Sequence, residues 1–79
     1  MNSGFDRRAP SLDTTQPGIR HIQDLIRQAT AVRLVLRSGD QLEGVLRWQD
    51  QRYLALSPGE GQPLNLVNRD AVELIRALI

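Results

Sequence analysis

No cysteine occurs among the 79 residues, which excludes a disulfide framework and any thiolate metal site as a source of stability in so short a chain. Histidine is nearly absent too: with His21 alone, a multi-histidine centre would have to be shared between subunits. Lysine is missing altogether, since all ten basic residues are arginine, set against nine acidic residues for a net charge of +1. That balance argues against a protein that binds polyanions by charge alone. Arginine's planar fork pairs with carboxylate or phosphate and stays charged when half buried, so the bias is either compositional or a recognition feature. The sequence contains no apolar run near the ~18 residues of a membrane span. Its N-terminus mixes Asp6, Arg7, Arg8, Pro10 and Asp13 where a signal peptide carries an apolar segment. No membrane insertion is expected, and the location expected is cytoplasmic.

What is present suits one small domain: 41% hydrophobic and 24% charged residues leave no room for a second core. A core in a chain below about 80 residues rarely supplies more than about 5 kcal/mol, so homo-oligomerisation is expected to supplement it. Besides Met1, residues 1–15 hold only Phe5 and Leu12 as large apolar groups among Asn2, Ser3, Gly4, Pro10, Ser11, Thr14 and Thr15. Such a segment buries too little to order itself and is expected to be a disordered tail. The domain proper is then 16–79. From Pro17, Ile19, Ile22, Leu25, Ile26 and Ala29 recur at helical spacing while Arg20, Asp24 and Arg27 occupy another face, and proline is tolerated in a first turn. One short amphipathic helix is predicted there, with His21 an exposed imidazole near its start.

Beyond Thr30 the period becomes two. Val32, Leu34 and Leu36 alternate with Arg33, Val35 and Arg37 up to Ser38-Gly39, predicting a first strand. Leu42, Gly44, Leu46 and Trp48 alternate with Glu43, Val45, Arg47 and Gln49 in a long second strand, where a glycine at 44 permits a sharp bend. On this alternation Trp48 belongs to the core or an interface rather than to a base-stacking surface, and Tyr53 packs its ring in the sheet with its hydroxyl outward. Asp50-Gln51-Arg52 turns the chain into a third strand, Tyr53–Ser57, and 58–63 is a Pro/Gly loop. Leu64–Val67 reads as a fourth strand. Asn68-Arg69-Asp70 interrupts the pattern, and β-branched Val72 and Ile75 favour a fifth strand over a helix for 71–79. One helix and five bent strands describe a mainly β, small open barrel with two edges to cover. Pairing the fourth strand of one subunit with the fifth of the next would cover both and close a ring.

The helix, the hairpin turn at Gly39 with a second glycine at Gly44, Asp50 six residues later and the Asn68-Arg69-Asp70 hinge together resemble the bacterial Sm-like family of Hfq. Arg47-Trp48-Gln49-Asp50 after the glycine pair is most similar to its cyanobacterial branch. The resemblance covers about Pro17 to Leu78 and implies an Sm-like, SH3-type barrel assembled into a hexameric ring that binds RNA on a proximal pore, a distal face and a lateral rim. At the pore the family's Tyr-Lys-His motif corresponds here to Asn68, Arg69 and Asp70. Arg69 keeps the cation, whereas Asp70 introduces an anion. Arg52 stands where the family has a base-stacking aromatic after Asp50 and Gln51, a loss worth about 1–3 kcal/mol per base. The distal positions are Val35 and Gln41, in place of a stacking tyrosine and a lysine. Only Arg27 remains of the rim arginines.

Two functions follow from that pattern. One is an Hfq-like, RNA-associated post-transcriptional regulator with weakened RNA binding through Gln51, Arg52, Asn68, Arg69, Asp70 and Arg27. The alternative is a protein adaptor that uses the same pore, including Asp70, to dock on the type IV pilus extension motor ATPase, as the cyanobacterial resemblance implies. An enzyme is not expected: cysteine is absent, the one histidine lies on a helix, and Gly59-Glu60-Gly61 is too short for a phosphate loop and lacks its lysine. No cofactor is expected.

Overall fold

A computed structural model describes residues 12–79; most of the expected tail lies outside these residues. Helix α1 runs Pro17–Arg27, followed by β1 Ala31–Leu36, β2 Gln41–Gln49, β3 Tyr53–Ser57, β4 Asn65–Asn68, a single 3-10 turn Arg69–Ala71 and β5 Val72–Ala77. The helix is two residues shorter than its apolar periodicity reaches, because Ala29 takes a left-handed φ of 52°. That residue closes a Schellman end, in which Thr30 N–H donates to Leu25 O and Ala29 N–H to Ile26 O, both at 3.1 Å.

All strand pairs are antiparallel, in the order β4-β3-β2-β1-β5. This confirms the fifth segment as a strand and leaves β4 and β5 as the two edges. Leu25, Val32, Leu34, Leu46, Leu54, Leu56 and Val67 form the core, so the predicted inward set of β1 and the first half of β2 is the buried one. Helix α1 lies against β2 and contributes Ile22, Leu25 and Ile26 to the same cluster.

The second half of β2 departs from strict alternation. Leu46 pairs with Leu56 but Trp48 pairs with Ala55 and Gln49 with Leu54, so one extra residue, Arg47, forms a bulge. Because side chains alternate across a sheet, one added residue exchanges the two faces from that point on. Gln49 therefore turns to the core side opposite Leu54, and Trp48 turns out, 40% exposed. The expectation of Trp48 in the core is corrected on that ground.

Candidate functional site

The turn after β2 and the hinge after β4 meet at one end of the barrel, and short side chains shape both. Asp50 Oδ1 accepts from the backbone N–H of Arg52 at 2.8 Å and of Tyr53 at 2.6 Å. Asp50 N–H returns a bond to Tyr53 O at 3.0 Å, closing the β2–β3 turn. In the hinge, Asn68 Oδ1 caps the 3-10 turn by accepting from Asp70 N–H at 2.8 Å. Such local bonds suit aspartate and asparagine because their carboxylate or amide oxygen reaches backbone N–H groups two residues on. Arg69 N–H donates to Arg52 O at 2.7 Å, and Tyr53 pairs with Asn68 across β3 and β4. Arg52, Asn68, Arg69 and Asp70 are thereby gathered, with Gln51 in the adjoining turn.

The Arg69 guanidinium is half buried and held in two directions. Its Nη2 donates to Gln49 Oε1 at 2.6 Å and its Nε to the Asp50 carbonyl at 3.2 Å. Gln49 Nε2 in turn donates to Ile19 O at 3.2 Å and Gln23 Oε1 at 3.0 Å in α1. A chain of hydrogen bonds thus runs from the helix through Gln49 to the hinge. Gln49 was not singled out by sequence as a site residue; the missed signal was the bulge that turns it inward. Burial lowers the Arg69 pKa, while the charges of Asp50 and Asp70 raise it; arginine remains protonated in either case.

Both direct acceptors of Arg69 are uncharged oxygens. Among the described residues, side-chain ion pairs join Arg27 to Asp24 and Arg33 to Glu43, and Arg69 takes part in neither. Its charge is therefore positioned by neutral acceptors and is not consumed by a carboxylate in contact. Arg69 also lines a recess of about 180 Å³ with Leu54, Val72, Glu73, Leu74 and Ile75.

The remaining candidates lie elsewhere. Arg27, in the last turn of α1, is ion-paired with Asp24 one turn back, an exposed pair worth at most about 1 kcal/mol. Val35 and Gln41 sit directly opposite each other on β1 and β2, on the face of the sheet away from the core.

Asp50 has a lowered pKa, first because of the Tyr53 N–H bond and then the Arg52 N–H bond. A carboxylate whose pKa is depressed on folding stabilises fully above its unfolded value, here 3.8, and that contribution is lost as the pH falls through the lower folded value. Asp50→Asn keeps an acceptor oxygen but does not titrate. The expected result is a native protein more stable than the variant above pH 3.8, with the difference closing in more acid solution. Urea midpoints measured on both sides of that value test this, and a constant difference would remove Asp50 from the acid transition.

A helix-capped, five-stranded open barrel with a bent second strand and two free edge strands is an Sm-like fold. The chain belongs to the Hfq-related family, whose model matches residues 16–77. The crystal structure of an Hfq protein from Anabaena sp. is similar, with a TM-score of 0.70 at 27% identity over 78% of this chain and 97% of that one. A crystal structure of the pleiotropic translational regulator Hfq matches with a TM-score of 0.72 at 18% identity over 78% and 100% of the two chains, which speaks to the fold alone. No curated protein sequence matches the chain. No helix among the described residues is long and apolar enough to cross a membrane.

Proposed function

We propose that this protein is a non-enzymatic, RNA-associated ring protein of the Hfq type, in which Arg69 of each subunit contacts an RNA phosphate at the pore. The observation that carries the reading is the Arg69 guanidinium held only by the neutral oxygens of Gln49 and Asp50. A cation positioned in this way keeps its attraction for an anion, and an arginine fork matches phosphate geometry. The free edges of β4 and β5 support ring closure between copies, in a hexamer by resemblance. Leu66 on β4 and Leu74 on β5 are exposed beside those edges, so edge pairing would cover apolar surface as well as backbone groups. RNA contact is expected to be weak, because Arg52 supplies no stacking ring and Asp70 adds a negative charge.

The test is the affinity of the native ring and of Arg69→Gln for a short uridine-rich RNA over a series of salt concentrations. Weaker binding and a shallower salt dependence in the variant support the reading; identical curves refute it.

Asp70 favours a second reading. It is exposed, its backbone N–H is engaged by Asn68, and among the described residues its carboxylate forms no ion pair. That makes it available to a basic partner segment, such as one on the type IV pilus motor ATPase that the resemblance suggests. On this reading Asp70→His abolishes binding to the purified ATPase, and retained binding would exclude Asp70.

A further inference from the structure

The face of the sheet opposite the core carries an aromatic surface that the pore reading leaves unused. Its geometry follows from the register. Trp48, turned outward by the Arg47 bulge, stands opposite Ala55, which stands opposite Leu66 on β4. Tyr53 lies two residues before Ala55 on the same face of β3 and is therefore a diagonal neighbour of both Trp48 and Leu66. Ala55 is 0% exposed, whereas Trp48, Tyr53 and Leu66 are 40%, 36% and 54% exposed. The arrangement fits three side chains that close over one small residue and keep their outer surfaces in solvent.

Charge on this face is mixed, but Arg47 takes part in no side-chain ion pair among the described residues. The polar residues beside the aromatic pair are Arg47, in the bulge itself, Ser57 and Asn68. Two carboxylates of neighbouring segments already have partners, and Asp70 lies past the end of β4 in the 3-10 turn. Asp50 is bonded to the backbone N–H groups of Arg52 and Tyr53, and Glu43 is paired with Arg33 on β1. Two exposed rings on a sheet beside an arginine that no carboxylate pairs form a combination that takes bases by stacking and phosphate by charge. A partner protein would gain apolar contact from the same rings, but the uncompensated arginine favours a polyanion.

We propose that the Trp48–Tyr53 face is a second nucleic-acid site, on which unpaired bases of single-stranded RNA stack while Arg47 meets the backbone phosphate. Trp48 lies two strands in from the β4 edge, so the β4–β5 pairing that would cover Leu66 does not involve its strand. The site does not depend on Arg69.

Trp48 is the only tryptophan of the chain, so its emission reports on this face alone. Native protein is titrated with a short single-stranded RNA and, separately, with inorganic polyphosphate, which has phosphates but no bases. Saturable quenching by RNA with unchanged emission in polyphosphate is the expected result. Trp48→Leu, which keeps an apolar cover over Ala55, is expected to weaken binding of labelled RNA about tenfold, as loss of one stacked base does. Trp48→Phe keeps a ring and is expected to recover most of the affinity. RNA that binds by anisotropy without altering Trp48 emission, or that binds Trp48→Leu as tightly as native protein, would overturn the proposal and leave the face to protein contact. Failure of the pore reading shows separately, as an Arg69→Gln protein with unchanged RNA affinity whose Trp48 emission is still quenched.

Discussion

Gly44→Ala is expected to destabilise the protein by about 3 kcal/mol, the upper end of the range for overpacking a closed site. A Cβ at Gly44 would lie 2.2 Å from Ser57 O, 2.9 Å from Ser57 C and 3.0 Å from Pro58 Cα. All three are backbone atoms, so no side chain can rotate away to relieve the contact. Gly44 is paired with Val32 in β1, while its neighbour Val45 is paired with Ser57 at the end of β3. The clash therefore forces β2 away from one partner strand at the point where the barrel bends. For a domain of this size each 1 kcal/mol lowers the melting temperature by about 4–8 °C, so a loss well above ten degrees is expected by thermal melting. Gly39 supplies the control. It has a φ of 95°, and a Cβ there would meet nothing within 4 Å, so Gly39→Ala incurs only the left-handed backbone penalty of about 1–2 kcal/mol. If the two variants melt together, close approach at Ser57 is not what requires glycine at 44.

Removing either member of the Gln49–Arg69 pair is expected to weaken RNA binding, but through different physical quantities. Arg69→Gln deletes a charged donor, and a hydrogen bond to a charged group is worth about 1.5–3 kcal/mol, or about 10- to 150-fold in affinity. It also removes a phosphate contact, and for single strands each such contact contributes about 0.7 to the slope of log affinity against log salt. Gln49→Leu leaves the charge in place and removes its acceptor at 2.6 Å together with the bonds to Ile19 and Gln23. The guanidinium then loses its fixed position, so affinity falls by up to about tenfold while the salt slope stays near the native value. Affinities of the native, Arg69→Gln and Gln49→Leu proteins measured over a salt series separate charge from position. A Gln49→Leu protein with native affinity would reduce Gln49 to a packing residue.

Much of the fold was legible because local patterns and global packing agree. Val32 and Leu34 alternate with exposed or half-exposed neighbours and are fully buried, and the glycine expected to bend β2 is the one where an added Cβ would meet the Ser57 backbone. Asp50 and Asn68 were readable as turn and hinge residues, since their side chains act on backbone only two or three positions away. The family resemblance carried by Gly39, Gly44, Asp50 and the 68–70 hinge agrees with the match over residues 16–77.

Periodicity failed where one residue broke it. Strict alternation places Trp48 with Leu42 and Leu46, yet the bulge at Arg47 exchanges Trp48 and Gln49 between the two faces. A bulge is a property of two strands, visible only when β2 is laid against β3, so nothing local in Leu46-Arg47-Trp48 announces it. The same register shift produced both features that sequence did not supply, the Gln49 link from α1 to Arg69 and the exposed aromatic pair.

From its sequence alone this chain was determined to be one small helix-and-five-strand barrel without cysteine chemistry, because amphipathic period, turn residues and composition act over a few neighbouring positions. Only the tertiary structure decided that Arg69 is held by neutral oxygens from Gln49 and Asp50 and that Trp48 faces solvent. Those outcomes depend on strand register and on contacts between residues some 20 positions apart, which no local pattern encodes.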